Sequence, residues 1–271
     1  MGNSFASEHQ TLLAALGMVS SRGRVSSDSQ RKLAQVKGML PWLLRALRFT
    51  RHASPTAIEF GCGKAYLGFF LAQAVRDARE RPIAILGVDP NAELVRRCQR
   101  ARNILGWPEM DFRVATCETF AVAHPPALVC ALHVCDVVTD QVIGAGIDMG
   151  AERIIVAPCC HSSYQRRLRE AGHRHEWGYI ARCFPLLGSR FSEFVTEAMR
   201  CLALRSCGYE VQVREFVSGT TTPKNTVIVA SFTGKLSERA LSELHRIEEM
   251  TGLESEVRCS LDRRRAALGR A

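Results

Sequence analysis

The segment Ile58-Glu59-Phe60-Gly61-Cys62-Gly63-Lys64-Ala65-Tyr66-Leu67-Gly68 constrains the fold of this chain more than any other. An apolar run ends in an acid, a glycine-rich turn follows, and an amphipathic stretch begins. Gly61 and Gly63 lack the Cβ atoms that would stop the backbone turning tightly and lying against a ligand. The helix predicted next aims its first amides into the same crevice. The pattern therefore predicts an open α/β sheet with a ligand site at the carboxyl end of its first strand.

Two cofactor classes use such a turn. A dinucleotide site asks for G-x-G-x-x-G, but here Tyr66 stands at the third small position and the next glycine is Gly68. Glu59 sits just before the first glycine, where a carboxylate can face a cation. A pyrophosphate has no need of that charge; the ammonium of S-adenosylmethionine does. A second apolar run, Pro82 to Asp89, also ends in an acid. Asp89 is placed to accept hydrogen bonds from a ribose diol, a role that suits NAD equally. The glycine pattern together with Glu59 favours the methyl donor. Lys64, Tyr66 and Pro90 are neighbours of the expected donor site. Cys117 and Glu118 follow the third strand, where such folds contact the adenine, and Leu132 and His133 end the fourth.

Downstream, strand-like and helix-like segments alternate, as in a parallel sheet with right-handed crossovers. Strands are predicted over 56–60, 83–89, 110–115, 127–132 and 153–157. A last pair, 209–217 and 225–233, is joined by a connection too short for a helix and so can run antiparallel. The expected fold is α/β: a Rossmann-like, seven-stranded, mostly parallel sheet with a C-terminal antiparallel hairpin. Residues 1–52 read as an N-terminal helical extension, with a helix over 8–20 and a longer one over 30–49, kinked or restarted at Pro41. Residues 53–234 read as the sheet domain, and 235–271 as a C-terminal helix and basic tail.

Composition narrows the function classes. Apolar residues make up 46% of 271 and charged ones 23%, which supports a packed core and argues against wholesale disorder. No apolar run reaches a membrane span of about 18 residues, and the N-terminus lacks a signal pattern, so the cytoplasm is the expected location and no membrane is expected as partner. The 11 cysteines read as reduced thiols in a chain of this kind. The net charge of +9 permits a polyanionic partner. Only five of the 36 basic residues are lysine, so the charge also reflects an arginine-rich composition.

Several segments resemble a known family. Leu132-His133-Val134-Cys135-Asp136-Val137-Val138-Thr139-Asp140 resembles its L-H-x-C-x-x-x-T-D stretch, and Ala157-Pro158-Cys159-Cys160-His161 its A-P-C-C-H signature. Lys32, Gln35 and Lys37 resemble its basic stretch before the domain, and Phe216-Val217-Ser218 with Thr222-Pro223-Lys224-Asn225 its ending. The family is that of class I S-adenosylmethionine-dependent methyltransferases of the "methyltransferase domain 32" type. It is distantly similar to the eukaryotic tRNA 2′-O-methyltransferase that acts in the acceptor stem. The resemblance implies a class I fold, S-adenosylmethionine as cofactor and methyl transfer as the activity. The zinc-finger-like modules of the tRNA enzyme have no counterpart in this spacing.

Methyl transfer needs alignment of donor and acceptor, and a hydroxyl acceptor also needs to lose a proton. His133 and Asp136 leave the fourth strand as candidate base or positioning groups; the alternatives are a core imidazole and a helix cap. Cys160 and His161, with Pro158 and Cys159, leave the fifth. They can shape the acceptor pocket, ligate a metal with Cys135 or His133, or hold a nucleophilic thiol. Adjacent cysteines normally diverge and no C-x-x-C pair exists, so pocket shaping is preferred and no metal is expected. Lys224 completes the catalytic candidates, as a partner of Asp136 or a phosphate contact. The basic run Arg166, Arg167, Arg169, His173, Arg174 and His175, with Trp177 and Tyr179 close by, combines charge with stacking surface, as RNA requires. Arg263, Arg264 and Arg265 are further candidate backbone contacts. The expectation is a methyltransferase acting on RNA, at a ribose 2′-hydroxyl. The alternatives are a small metabolite or peptide acceptor, and a non-catalytic module that only binds the donor.

Overall fold

The computed structural model describes residues 9–19, 24–79, 81–170 and 176–269. Seven strands, β1 (Thr56–Phe60), β2 (Ala84–Asp89), β3 (Met110–Val114), β4 (Leu128–Leu132), β5 (Arg153–Ala157), β6 (Tyr209–Glu215) and β7 (Thr226–Phe232), form one sheet in the order β3-β2-β1-β4-β5-β7-β6. The chain divides into two compact units.

The first unit comprises 1–121, 126–132 and 215–225. Its helices are α1 (Gln10–Ala15), α2 (Ser27–Arg48), α3 (Tyr66–Asp77) and α4 (Ala92–Leu105). β1 pairs in parallel with β2 on one side and β4 on the other, and β2 pairs in parallel with β3. Ala57, Ile58, Glu59 and Phe60 are all buried, the near-continuous burial of a central parallel strand. α3 covers the sheet with Leu67, Phe69, Phe70 and Leu71, and Phe69 stacks on Phe112 of β3 at 5.4 Å. Asn91 starts α4 by accepting the Glu93 and Leu94 amides at 2.9 and 3.2 Å, the usual use of asparagine at a helix start.

α2 runs unbroken through Pro41, where the sequence predicts a kink or restart. Proline removes one intrahelical bond, but Leu33, Val36, Met39, Leu43, Ala46 and Leu47 form a buried stripe along the helix, and packing of such a stripe carries most helical stability. Against it lies the β6–β7 connection. A Cβ on Gly38 would stand 2.2 Å from the Phe216 carbonyl and 2.6 Å from Val217 Cγ1. The two outlying family-like stretches, one around residue 35 and one around residue 217, thus belong to one packed contact.

The second unit comprises 122–125, 133–214 and 226–271. It holds α5 (Val137–Asp148), α6 (Ser162–Glu170), α7 (Glu176–Cys183), α8 (Pro185–Ser206), α9 (Glu238–Thr251) and α10 (Arg258–Leu268). β7 is antiparallel to β5, with Ile154 opposite Ala230 and Val156 opposite Ile228. Ile154, Ile155, Val156, Val227 and Ile228 are fully buried, together with Val142, Ile143 and Ile147 of α5. A smaller cluster of Tyr164, Leu168, Ala181 and Leu253, with Phe191 against it, ties α6, α7 and α8 together. The sequence predicts only a basic insertion where α6 and α7 stand. Each helix buries so few residues that no apolar period is visible. The basic tail is likewise a helix, α10, and not a free segment.

Candidate active site

The glycine-rich turn lies wholly in the first unit. Gly61 and Gly63 adopt φ of 59° and 56°, a left-handed geometry that costs a residue with a Cβ. A Cβ on Gly63 would meet nothing within 4 Å, so backbone conformation demands this glycine and open space lies beside it. Ala65 also has positive φ, 52°, and opens α3. Tyr66 and Lys64 are half-buried next to it. Gly68 supplies the close helix–strand approach expected of a third glycine: a Cβ there would stand 2.7 Å from Glu59 Oε2.

Glu59 accepts the Gly68 amide at 2.9 Å and is only 5% exposed. Burial pushes its carboxyl up to about 8 against the pull of that amide, and the Asp89 charge adds to the rise. Among the described residues no basic side chain pairs with it. Asp89 is buried at the end of β2. One of its oxygens accepts the Gly63 amide at 2.8 Å and the other the Asn91 amide at 2.9 Å. The acid predicted to hold a sugar therefore also holds the turn. Each carboxylate oxygen keeps a second acceptor site. The Ala115 amide bonds the Asp89 carbonyl at 3.3 Å, which brings the loop after β3 to the same strand end. In that loop Thr116 and Thr119 exchange amide-to-hydroxyl bonds, Cys117 is half-buried with its thiol pushed up to about 11 by burial, and Glu118 is exposed. Pro90 is exposed beside Asp89. Leu132 ends β4 two residues beyond Cys130, the partner of Glu59, and so lies level with Gly61.

The remaining signature residues lie in the second unit. His133 and Asp136 have φ of 57° and 59°, strained for residues other than glycine and common at functional sites. Two main-chain bonds pin their loop to the segment after β5: the His133 amide donates to the Ala157 carbonyl at 3.0 Å and the Asp136 amide to that of Cys160 at 3.2 Å. His133 is half-buried, and burial holds its imidazole below its ordinary range, so it is neutral at pH 7. Asp136 stands at the start of α5 but makes no side-chain cap there. Its Oδ2 accepts instead from Ser162 Oγ at 2.9 Å and the Ser163 amide at 2.7 Å, at the start of α6. Burial raises its carboxyl, but the Ser163 and Ser162 bonds and the nearby His161 outweigh this and hold it below the usual carboxylate range. Oδ1 has no partner among the described residues.

Thr139 and Asp140, the last two residues of the L-H-x-C-x-x-x-T-D stretch, support this loop. Thr139 Oγ1 donates to the Val134 carbonyl at 2.7 Å. Asp140 is fully buried and accepts from Arg200 Nε at 3.0 Å and Nη2 at 2.6 Å, while Nη2 also donates to the Asp136 carbonyl at 3.0 Å. Burial works against both charges, raising Asp140 and lowering Arg200, but the bidentate contact keeps the guanidinium charged. Sequence reasoning missed Arg200. The available signal was an acid inside an apolar helix and an arginine inside another, which only a mutual pairing could satisfy.

Cys159 and Cys160 do not diverge as expected of neighbours. They lie beyond the end of β5, where strand alternation no longer applies, and their sulfurs are 3.9 Å apart. Cys135 Sγ is 2.8 Å from Cys159 Sγ. His161 is buried, with Nδ1 2.6 Å from Thr196 Oγ1. That hydroxyl donates to the Ser192 carbonyl at 2.8 Å, which leaves its oxygen to accept from His161 Nδ1–H, and Nε2 lies 3.9 Å from Glu197 Oε1.

Lys224 is half-buried in the β6–β7 connection of the first unit, where its amide bonds Thr222 Oγ1. Lys32 pairs with Asp28 on exposed helix surface, Gln35 is half-buried and Lys37 exposed. Arg166 and Arg169 are exposed on α6, Arg166 4.0 Å from Glu170, and Arg167 pairs with Glu256. His173, Arg174 and His175 lie outside the described residues. The tail arginines have partners: Arg263 bonds Asp148 at 2.7 Å, Arg265 pairs with Glu238, and Arg264 lies over the Phe232 ring at 4.6 Å.

A family described as a methyltransferase domain matches residues 31–167, just over half of the chain. No curated protein matches it. Among solved structures, the chain is similar to a magnesium protoporphyrin IX methyltransferase from Synechocystis PCC 6803 with bound SAH, at 14% identity and a TM-score of 0.49 over 86% of this chain and 97% of that one. It is similar to an rRNA methylase from Streptococcus thermophilus at 11% identity and a TM-score of 0.44, over 73% and 94%. A geranyl diphosphate methyltransferase in complex with GPP and sinefungin is 14% identical, with a TM-score of 0.45 over 76% and 80%.

Proposed function

The chain belongs to this methyltransferase-domain family and is an S-adenosylmethionine-dependent methyltransferase, and from that premise we propose that its acceptor is RNA, at a ribose 2′-hydroxyl. The residues around the turn fit the donor, which when bound supplies a methyl group on a sulfonium centre. Open space lies beside Gly63, a fixed carboxylate stands at the end of β2, and the buried Glu59 has no cation of its own among the described residues. We assign Asp89 to the ribose hydroxyls, Glu59 to the ammonium, and Cys117 and Glu118 to the adenine side. His133, neutral at pH 7, is assigned as acceptor of the hydroxyl proton. Asp136 stays ionised and is a weak base; its part is to hold the start of α6. Cys160 and His161 are assigned to shaping the acceptor pocket and Lys224 to a phosphate contact.

The observation that carries the RNA reading is the surface of α6 and α7. Arg166 and Arg169 are exposed there, Tyr179 is 56% exposed, and the Arg182 guanidinium lies over its ring at 5.9 Å. Trp177 stacks on Phe191 at 4.8 Å and is 38% exposed. Guanidinium planes and open aromatic faces are what unpaired bases stack on. A small metabolite or peptide acceptor is the second reading, favoured by the ion pairs that occupy the tail arginines. Incubation of the protein with methyl-labelled donor and total RNA, protein and small-molecule extracts decides between them. Label in RNA, located at a 2′-hydroxyl by mass spectrometry of the digest, is the expected result; label confined to another fraction rejects it.

A further inference from the structure

We propose that Cys135, Cys159 and Cys160 form a three-thiolate site for a thiophilic d10 cation, Zn2+ being the case we commit to, with its fourth position open to solvent or a ligand. The three sulfurs all lie within 4.8 Å of one another. A tetrahedral zinc–thiolate site with bonds near 2.3 Å sets its sulfurs about 3.8 Å apart. Cys159 and Cys160 stand at 3.9 Å. Cys135 and Cys159, at 2.8 Å, need to part by about 1 Å to receive the ion, and Cys135 is exposed. That distance is also well beyond a disulfide bond of about 2.05 Å.

The scaffold is already built for convergence. The sulfurs come from two segments that the His133–Ala157 and Asp136–Cys160 main-chain bonds hold side by side, and the strained backbone at His133 and Asp136 fixes the residues flanking Cys135. Preorganised ligands lower the cost of binding. The thiols have little else to satisfy them. Apart from their contacts with one another, Cys135 and Cys159 make long contacts of 3.8 and 3.6 Å to the His133 carbonyl among the described residues. Three soft donors without a carboxylate select zinc or copper(I) over magnesium or calcium. On binding, three S–H bonds are replaced by three S–Zn bonds and up to three protons pass to solvent. Three protein ligands and one open position characterise zinc sites that bind a further ligand.

The test uses the full-length chain, reduced and stripped of metal. Titration with Zn2+ against a chromophoric chelator is expected to show one ion per chain with proton release. Co2+ in its place is expected to give near-ultraviolet thiolate charge-transfer absorption and the visible bands of tetrahedral cobalt. Cys135→Ser and Cys159→Ser should each weaken Zn2+ at least about tenfold, the loss that even an outer partner causes; Cys183→Ser, at an exposed cysteine elsewhere, should not. Thermal melts check that each variant is folded. Absence of Zn2+ binding by the folded wild type, cobalt spectra without thiolate absorption, or a Cys135–Cys159 disulfide in place of the metal site overturns the proposal. Donor affinity measured on the same samples reports separately on the methyltransferase reading.

Discussion

At the scale of single residues, Glu59 carries the clearest pH signature. Its carboxyl ionises near 4.5 in an unfolded chain and near 8 in the fold. Between those values the folded state holds the extra proton, so stability is present at low pH and is lost as pH rises through about 8. Glu59→Gln keeps an acceptor for the Gly68 amide and removes the buried charge. At pH 9 it should therefore be more stable than wild type, by up to about 5 kcal/mol, and nearly match it near pH 5; equal melting at both pH values would show that the carboxyl titrates normally. Asp89 holds the turn and is the residue we assign to the sugar, so Asp89→Asn is the informative change. The amide oxygen still accepts one backbone N–H, whereas the amide nitrogen cannot replace the second acceptor. Donor affinity measured by calorimetry should fall at least about tenfold while the fold survives. His133→Ala should slow transfer by about 10²-fold or more without altering donor affinity; a rate unchanged across pH removes it as the proton acceptor. Glu59, Gly61, Gly63 and Asp89 could be singled out from type and spacing because a tight turn and a strand end leave few alternatives. The second job of Asp89 could not, because the Gly63 amide comes to it from 26 residues away.

At the scale of elements, the loop after β4 depends on Arg200 of α8. Its guanidinium joins Asp140 of α5 to the strained Asp136 carbonyl. Arg200→Ala leaves a buried carboxylate unpaired and should cost about 3–5 kcal/mol, seen as a lowered denaturation midpoint with an unchanged slope. Combining Arg200→Met with Asp140→Leu should recover much of that stability but not the loop, so restored stability with full activity would show that the guanidinium does not position Asp136. A second element contact is equally exposed to test. Gly38→Ala drives a methyl group into the Phe216 carbonyl and Val217 and should cost about 1–3 kcal/mol, against the small gain alanine gives in an open helix. Local pattern predicted β1 and β5 over the residues they occupy, because a short apolar run bounded by turn residues marks a strand buried on both faces. It missed α6 and α7, whose few core positions set no period, and it allowed a restart at Pro41 that the continuous helix α2 does not make.

At the scale of the whole molecule, charge is the quantity that matters. The excess of +9 is not spread evenly in function. Arginines of α10 are tied to Asp148 and Glu238, whereas Arg166 and Arg169 are exposed on α6, Arg166 with only the surface carboxylate of Glu170 at 4.0 Å. The double variant Arg166→Glu, Arg169→Glu should weaken RNA binding and flatten its dependence on salt by one to two contacts, about 0.7 in slope for each, with donor affinity unchanged; an unaltered slope would place RNA elsewhere or exclude it. No helix among the described residues is long and apolar enough to cross a membrane. What the sequence determined alone was the alternation of strands and helices, the glycine turn and its two acids, and the family signatures, since each is written in neighbours a few residues apart. What only tertiary structure decided was how those signatures work: Asp136 starting a helix other than its own, Asp140 answered by Arg200 sixty residues on, and three thiols from two segments meeting at one point. Such pairings are chosen by burial and by the need to satisfy polar groups away from water, and that need exists only once the chain has closed on itself.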